Sequence, residues 1–225
     1  LCHDTGYVSG ERCICRRQAS VELLFHQYPL RDRLREENFR TFSFDYFDRE
    51  EHPRFGKSSF DNMKEIYDQC RDFCSHFEPG GRNLVFEGQA GTGKTFLSNC
   101  IAEALLRGGH EVVYLSAGSL FERLAAHAFH SDEENTEEYE RILDCELLII
   151  DDLGTELNNS FVSSQLFFCL NERRQRRRST LISTNLSINQ IRDAYTERVS
   201  SRIMEDYEIY HFFNSDIRVR KRCLS

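Results

Sequence analysis

Apolar residues recur in two rhythms along this chain, and the change falls near residue 83. Upstream, Met63, Ile66, Tyr67, Cys70, Phe73, Cys74 and Phe77 repeat at helical spacing, which predicts an amphipathic helix over 62–77 stopped by Pro79, Gly80 and Gly81. Downstream, short apolar runs at 84–87, 111–115, 146–151, 179–184 and 207–213 read as strands. They alternate with helical patterns near 94–107, 118–130, 135–144, 160–175 and 195–205, and Gly108 and Gly109 end the first of these. Apolar strand cores separated by helices predict an α/β domain, a mostly parallel sheet with helices on both faces. Before the amphipathic helix, 31–37 reads as an exposed helix or connector, and Phe39, Phe42, Phe44, Tyr46 and Phe47 fall in a loop-like stretch. The expected division is a cysteine-containing segment over 1–18, a helical and aromatic connector over 19–60, and one α/β domain over 61–225.

The junction between the first strand and its helix carries the chemistry. Gly88-Gln89-Ala90-Gly91-Thr92-Gly93-Lys94-Thr95 follows an apolar run and opens a helical pattern. Strand, glycine loop, helix is the context of a phosphate-binding loop. Backbone N–H groups cradle the phosphates there, and the helix N-terminus adds its dipole. Lys94 supplies positive charge to the outer phosphates, and Thr95 offers a hydroxyl to magnesium.

Three further strand ends and helices qualify. Leu147-Leu148-Ile149-Ile150 runs into Asp151 and Asp152. Ligands of open sheets lie beyond the carboxyl ends of strands, so Asp151 is placed to meet magnesium and Asp152 to polarise the attacking water. The strand Leu181-Ile182-Ser183-Thr184 ends at Asn185, which either holds the lytic water or an outer phosphate, or belongs to a helix cap before Ile188. Arg198 and Arg202 are four apart on one helix face. They either reach a neighbouring subunit's phosphate or pair at the surface with Glu197, Glu205 or Asp206.

Composition narrows the picture. The chain has 225 residues with 40% hydrophobic content, enough for a sizeable core. A formal net charge of −8 argues against a non-specific nucleic-acid coat. The charge is uneven: Glu133, Glu134, Glu137, Glu138 and Glu140 form an acidic stretch, and Arg173, Arg174, Arg176, Arg177 and Arg178 a basic one. The basic stretch either touches DNA phosphates or is a solvated helix end complementing the dipole. No run approaches the roughly eighteen apolar residues of a membrane helix, so a cytoplasmic protein without membrane contact is expected. Cys70, Cys74, Cys100, Cys145 and Cys169 sit within helix and strand patterns and read as buried free thiols of a reducing compartment.

Taken together, the motifs resemble bacterial helicase-loader ATPases of the DnaC/DnaI type within the AAA+ superfamily, with IstB-type transposition helper ATPases as near relatives. The resemblance rests on the strand and loop from Asn83 to Leu97, on Asp151-Asp152-Leu153-Gly154-Thr155-Glu156, on Ile182-Ser183-Thr184-Asn185, and on Glu197-Arg198-Val199-Ser200-Ser201-Arg202. It implies an AAA+ P-loop NTPase core: a five-stranded parallel sheet of order 5-1-4-3-2 without a C-terminal lid domain. It implies that ATP or ADP is held by Gly88 through Thr95 and by Phe96, with Mg2+ at Thr95 and Asp151. Lys94, Asp151, Asp152, Asn185 and Arg202 would be catalytic, with Asn185 as first sensor and Arg202, ahead of Arg198, as the arginine finger. Arg218 would be a second sensor on phosphate in cis. The implied function is ATP-dependent loading of the replicative hexameric DNA helicase, with single-stranded DNA and a nucleotide-bridged homo-oligomer as partners; slow hydrolysis stimulated by partners is expected. A transposition helper and a nucleotide-dependent switch with little hydrolysis are the alternatives. The N-terminus is similar to loaders that begin Cys-x-x-Cys-x-Asp-Thr-Gly and continue with Cys-x-Cys. Cys2, Cys13 and Cys15 match, the first cysteine would lie before Leu1, and Zn2+ is therefore expected in a full-length protein, where thiolates from two pairs close one tetrahedral site.

Overall fold

The computed structural model describes residues 7–8, 11–12, 30–129, 132–157 and 159–224. Two short antiparallel ladders precede the core. One joins β1 (Tyr7–Val8) to β2 (Glu11–Arg12), the other β3 (Glu51–His52) to β4 (Lys57–Ser58). The second ladder falls at the end of the stretch expected to be loop. Two residues per strand leave no periodic signal to find it by. Helix α1 (Leu30–Glu36) lies between the ladders. Helix α2 (Ser59–Ser75) starts where the Ser58 side chain accepts a hydrogen bond from the Asp61 N–H at 3.0 Å.

The core sheet contains β5 (Leu84–Gly88), β6 (Val112–Ser116), β7 (Leu147–Leu153), β8 (Ser179–Thr184) and β9 (Glu208–Phe212). All neighbours are parallel, and the spatial order is β6-β7-β8-β5-β9. Counted from the first core strand and read from the other edge, this is the expected 5-1-4-3-2. Helices α3 (Lys94–Arg107), α4 (Ala117–Phe129), α5 (Glu133–Asp144) and α6 (Ser160–Gln175) fall within two residues of their predicted bounds at every end.

Alternate residues of each strand feed opposite faces of the sheet, and this sorts the core into two layers. Leu84, Phe86, Leu147, Ile149 and Leu181 pack with α1, α2 and α3 on one face. Val85, Leu148, Ile150 and Ile182 pack with α4 through α6 and the helices beyond them on the other. Strands covered on both sides must be apolar at every position, which is why these runs showed no alternation. Leu34 and Phe47, upstream of the sheet, are 1% and 6% exposed and belong to the first layer.

The predicted helix over 195–205 is α8 (Glu197–Asp206), and a further helix that the pattern did not signal, α7 (Ile188–Tyr195), precedes it. Thr196 at φ 138° leaves the helical region and separates them. A capping box starts α7: the Ser187 hydroxyl accepts from the Gln190 N–H, and the Gln190 side chain accepts from the Ser187 N–H. Beyond β9 the chain forms α9 (Ile217–Leu224), which the apolar pattern did not signal. No helix among the described residues is long and apolar enough to cross a membrane.

Candidate functional site

Strand β5 delivers Gly88 to the carboxyl edge of the sheet, and α3 begins at Lys94. Between them Gly91 and Gly93 take φ of 78° and 101°, conformations that an L side chain resists. Lys94 is only 5% exposed and folds back onto its own loop, its Nζ donating to the carbonyls of Gly88 at 2.7 Å and Gln89 at 2.8 Å. Burial lowers its pKa, and the nearby charges of Asp152 and Asp151 oppose that shift.

Asp151 closes the buried run of β7, 7% exposed, on the strand beside β6. Its Oδ1 accepts from the Thr95 hydroxyl at 3.3 Å, and its Oδ2 from the Tyr114 hydroxyl at 2.8 Å. Burial pushes the Tyr114 phenol well above its ordinary range, and the Asp151 charge adds to this. After Ile150 the ladder to β8 slips by a bulge that resumes at Leu153, and Asp152 takes φ 56° within it. A bulge redirects side chains, and aspartate tolerates this region better than most residues. Asp152 is thereby turned out of the strand into solvent beside the loop. Partial burial, and then the Asp151 charge, raise its pKa, against Lys94 and Arg218. Hard oxygen donors from Thr95 and Asp151 suit magnesium, which keeps several waters and needs few protein ligands.

Asn185 follows β8 and lines, with Gly88, Gln89 and Thr92, a cleft of about 920 Å³ over the carboxyl edge. Strand β3 and the turn after it also line the cleft, where Phe55 and Phe213 stack at 4.1 Å. Capping of the next helix falls to Ser187, so the cap alternative for Asn185 does not hold. Arg218 also comes to the loop. Asp216 binds it, and its charge acts on both Lys94 and Asp152.

Arg202 is not brought to the loop of its own subunit. It pairs with Glu205 at 2.9 Å and Asp206 at 3.3 Å, and Asp206 lies by Asn83 at the amino edge of the sheet. Arg198 is exposed on the same helix. The basic stretch at the end of α6 is not a single DNA-facing patch: Arg173 is fully buried, Arg174 pairs with Asp206, and Arg176 pairs with Glu140 and Asp144. Backbone carbonyls and nearby acids claim these cations. Cys70, Cys74, Cys100, Cys145 and Cys169 are free thiols, and burial pushes Cys74 and Cys169 up to about 12. Cys2, Cys13 and Cys15 lie outside the described residues. Among the described residues, no group of three or more His, Cys, Asp or Glu is arranged for a metal.

Sequence reasoning missed Tyr114, Asp216 and Tyr195. Tyr195 donates to Glu156 of the Asp-Asp-Leu-Gly-Thr-Glu run. A tyrosine at the end of a helix and a lone acid before an arginine carry no motif of their own.

The model of the family described as IstB-like ATP binding protein matches residues 69–222. The chain belongs to this family. Among relatives of the IstB-like chain, the replicative helicase loader DnaC of Buchnera aphidicola subsp. Baizongia pistaciae is 23% identical over 155 residues, 68% of this chain and 63% of the relative. The uncharacterized protein YdaV of Escherichia coli K12 is 26% identical over 159 residues, 67% and 63% of the two chains. The IstB-like chain thus spans less than two thirds of these relatives' length. A crystal structure of the DnaC helicase loader superposes with a TM-score of 0.66 at 22% identity, covering 80% of this chain and 99% of that one. The crystal structure of DnaI gives 0.60 at 22%, covering 68% and 86%. These likenesses show a shared fold, a parallel α/β sheet flanked by helices.

Proposed function

We propose that this protein binds ATP with magnesium at the Gly88–Thr95 loop, hydrolyses it to ADP and phosphate, and uses that cycle to load the replicative hexameric DNA helicase onto single-stranded DNA. The observation that carries the chemistry is the convergence of Lys94, Thr95, Asp151, Asp152 and Arg218 around one loop. On this reading Lys94 exchanges the Gly88 and Gln89 carbonyls for outer phosphate oxygens. Asp152, with its raised pKa, takes a proton from the attacking water, and Asn185 orients that water from the cleft wall. Magnesium, when bound at Thr95 and Asp151, neutralises phosphate charge. Arg202, or the exposed Arg198, acts on the nucleotide of a neighbouring subunit in a nucleotide-bridged homo-oligomer. Residues 1–18, with Cys2, Cys13 and Cys15 as zinc ligands, and the connector 19–60 serve as the helicase-binding part.

The loading role is supported by the DnaC relatives and by the DnaC and DnaI folds. The family match favours a second reading, an IstB-type helper that acts on a DNA-bound transposase. Pull-downs of the host's replicative helicase with the full chain and with a chain lacking residues 1–18 separate the two. Helicase capture by the full chain, together with ATP turnover lost in Lys94→Ala, is the expected result. No capture by either chain would remove the loader, and turnover equal to Lys94→Ala would remove the ATPase.

A further inference from the structure

Asp151 meets two hydroxyls, and only one belongs to the phosphate loop. Thr95 Oγ1 lies 3.3 Å from Oδ1, and the Tyr114 hydroxyl lies 2.8 Å from Oδ2. Tyr114 is on β6 in register with Ile149 of β7. Residues two apart on a strand share a face, so Asp151 stands diagonally across from Tyr114 on the same side of the sheet. Long or aromatic side chains reach across that diagonal. Asp151 is buried, so solvent does little to orient its carboxylate. The torsion that turns a carboxylate is soft, and a magnesium site tolerates little error in ligand direction.

We propose that Tyr114 is a positioning residue for magnesium–nucleotide binding, its hydroxyl holding Oδ2 of Asp151 so that Oδ1 stays turned toward Thr95. This rests on the reading of the loop as a magnesium–ATP site. The ring contributes separately, packing with the apolar layer that includes Phe86 and Ile149. Phenylalanine keeps that packing and removes only the hydroxyl. Groups that orient a metal ligand typically carry about ten- to a hundredfold of metal affinity.

The test is a fluorescent ATP analogue titrated into the full chain, with magnesium and with chelator. Tyr114→Phe is expected to bind the analogue as the wild type does in chelator, and to need roughly tenfold more magnesium for half of the magnesium-dependent gain. Tyr114→Leu is expected to show the same split and serves if the phenylalanine variant is unstable. In an Asp151→Asn background, Tyr114→Phe should add nothing, because a residue that acts through another is not additive with it. An unchanged magnesium requirement overturns the proposal. So does an equal loss with and without magnesium, which marks a purely structural role. If wild type and Lys94→Ala bind alike, the underlying reading of the loop fails, and this inference falls with it.

Discussion

Asp216 holds Arg218 by both carboxylate oxygens, 3.0 Å to Nε and 2.7 Å to Nη2, against the backbone of Gly91. A β-carbon on Gly91 would lie 2.1 Å from the Asp216 carboxylate, so only glycine permits this approach. The Ile217 N–H fastens the same segment to the Gly91 carbonyl at 2.9 Å. A fixed negative charge therefore stands beside a loop shaped for anions, and it occupies the arginine expected to meet phosphate. Asp216→Asn removes the charge and frees Arg218. The expected outcome is ATP binding tighter by about three- to tenfold at low salt, with the gain shrinking as salt screens it. Calorimetric titrations at two ionic strengths measure this. Weaker binding by the variant would mean that Asp216 aims Arg218 at the nucleotide.

The Tyr195 hydroxyl and the Gly154 N–H both donate to Glu156, the latter at 3.1 Å. These bonds tie the turn after Asp152 to the end of α7, next to the helix that carries Arg198 and Arg202. Tyr195 is 1% exposed, and its pKa is pushed far up by burial and by Glu156. Tyr195→Phe deletes one bond to a charged acceptor and is expected to lower unfolding free energy by about 1–2 kcal/mol. Urea denaturation measures the loss. ATP turnover should fall further than the stability change explains, because the turn also sets the direction of Asp152. A variant with normal turnover would uncouple the two.

How much of this was legible in the sequence depended on whether a feature was local. The glycine loop, the apolar strands and the strand order followed from contiguous residues and the resemblance they carry. The capping box Ser187–Gln190 was also legible, and it would have revealed α7. Tyr114 and Asp151 are 37 positions apart, and Tyr195 and Glu156 are 39 apart. No spacing rule spans such distances: sheet register brings Tyr114 to Asp151, and the packing of α7 beside the turn after β7 brings Tyr195 to Glu156. The basic stretch misled for a related reason: charge in a sequence says nothing of which cation a helix turns inward.

The pH response of stability has a defined contributor at the amino edge of the sheet. Arg82 binds Glu208 with two nitrogens, at 2.8 and 2.7 Å, and the Tyr210 hydroxyl donates to the same carboxylate at 2.8 Å. The Arg82 bonds hold the Glu208 pKa below its ordinary 4.5. A carboxylate depressed in the folded state stabilises above its unfolded pKa, and that contribution is lost as pH falls through the folded value. Glu208 is nearly half exposed, so the gain is expected to be under about 1 kcal/mol after solvent screening. Melting curves of wild type and Glu208→Gln from pH 7 to 3 should show a gap at neutral pH that closes below about pH 4.5. A gap that persists unchanged at pH 3 would assign it to packing.

Arg173 is a cation with no exposed surface, held chiefly by carbonyl oxygens. Its Nη1 donates to Ile142 and Leu143 at the end of α5, at 2.6 and 3.2 Å, and its Nη2 to Cys145 and Ser179. Nε reaches the Thr180 hydroxyl at 3.0 Å. The negative end of the α5 dipole favours a cation there, and the flat fork of guanidinium matches several acceptors at once. Lysine is a point charge with a shorter reach to either side, so Arg173→Lys leaves some of these carbonyls without donors. Arg173→Met leaves all of them so, and is expected to lower unfolding free energy by about 3 kcal/mol or more. Arg174→Gln removes only a partly exposed ion pair and should cost under about 1 kcal/mol. Chemical denaturation of the three variants checks the ranking. A stable Arg173→Met protein with weakened single-stranded DNA binding would return this arginine to the surface role that its position in the basic stretch first suggested.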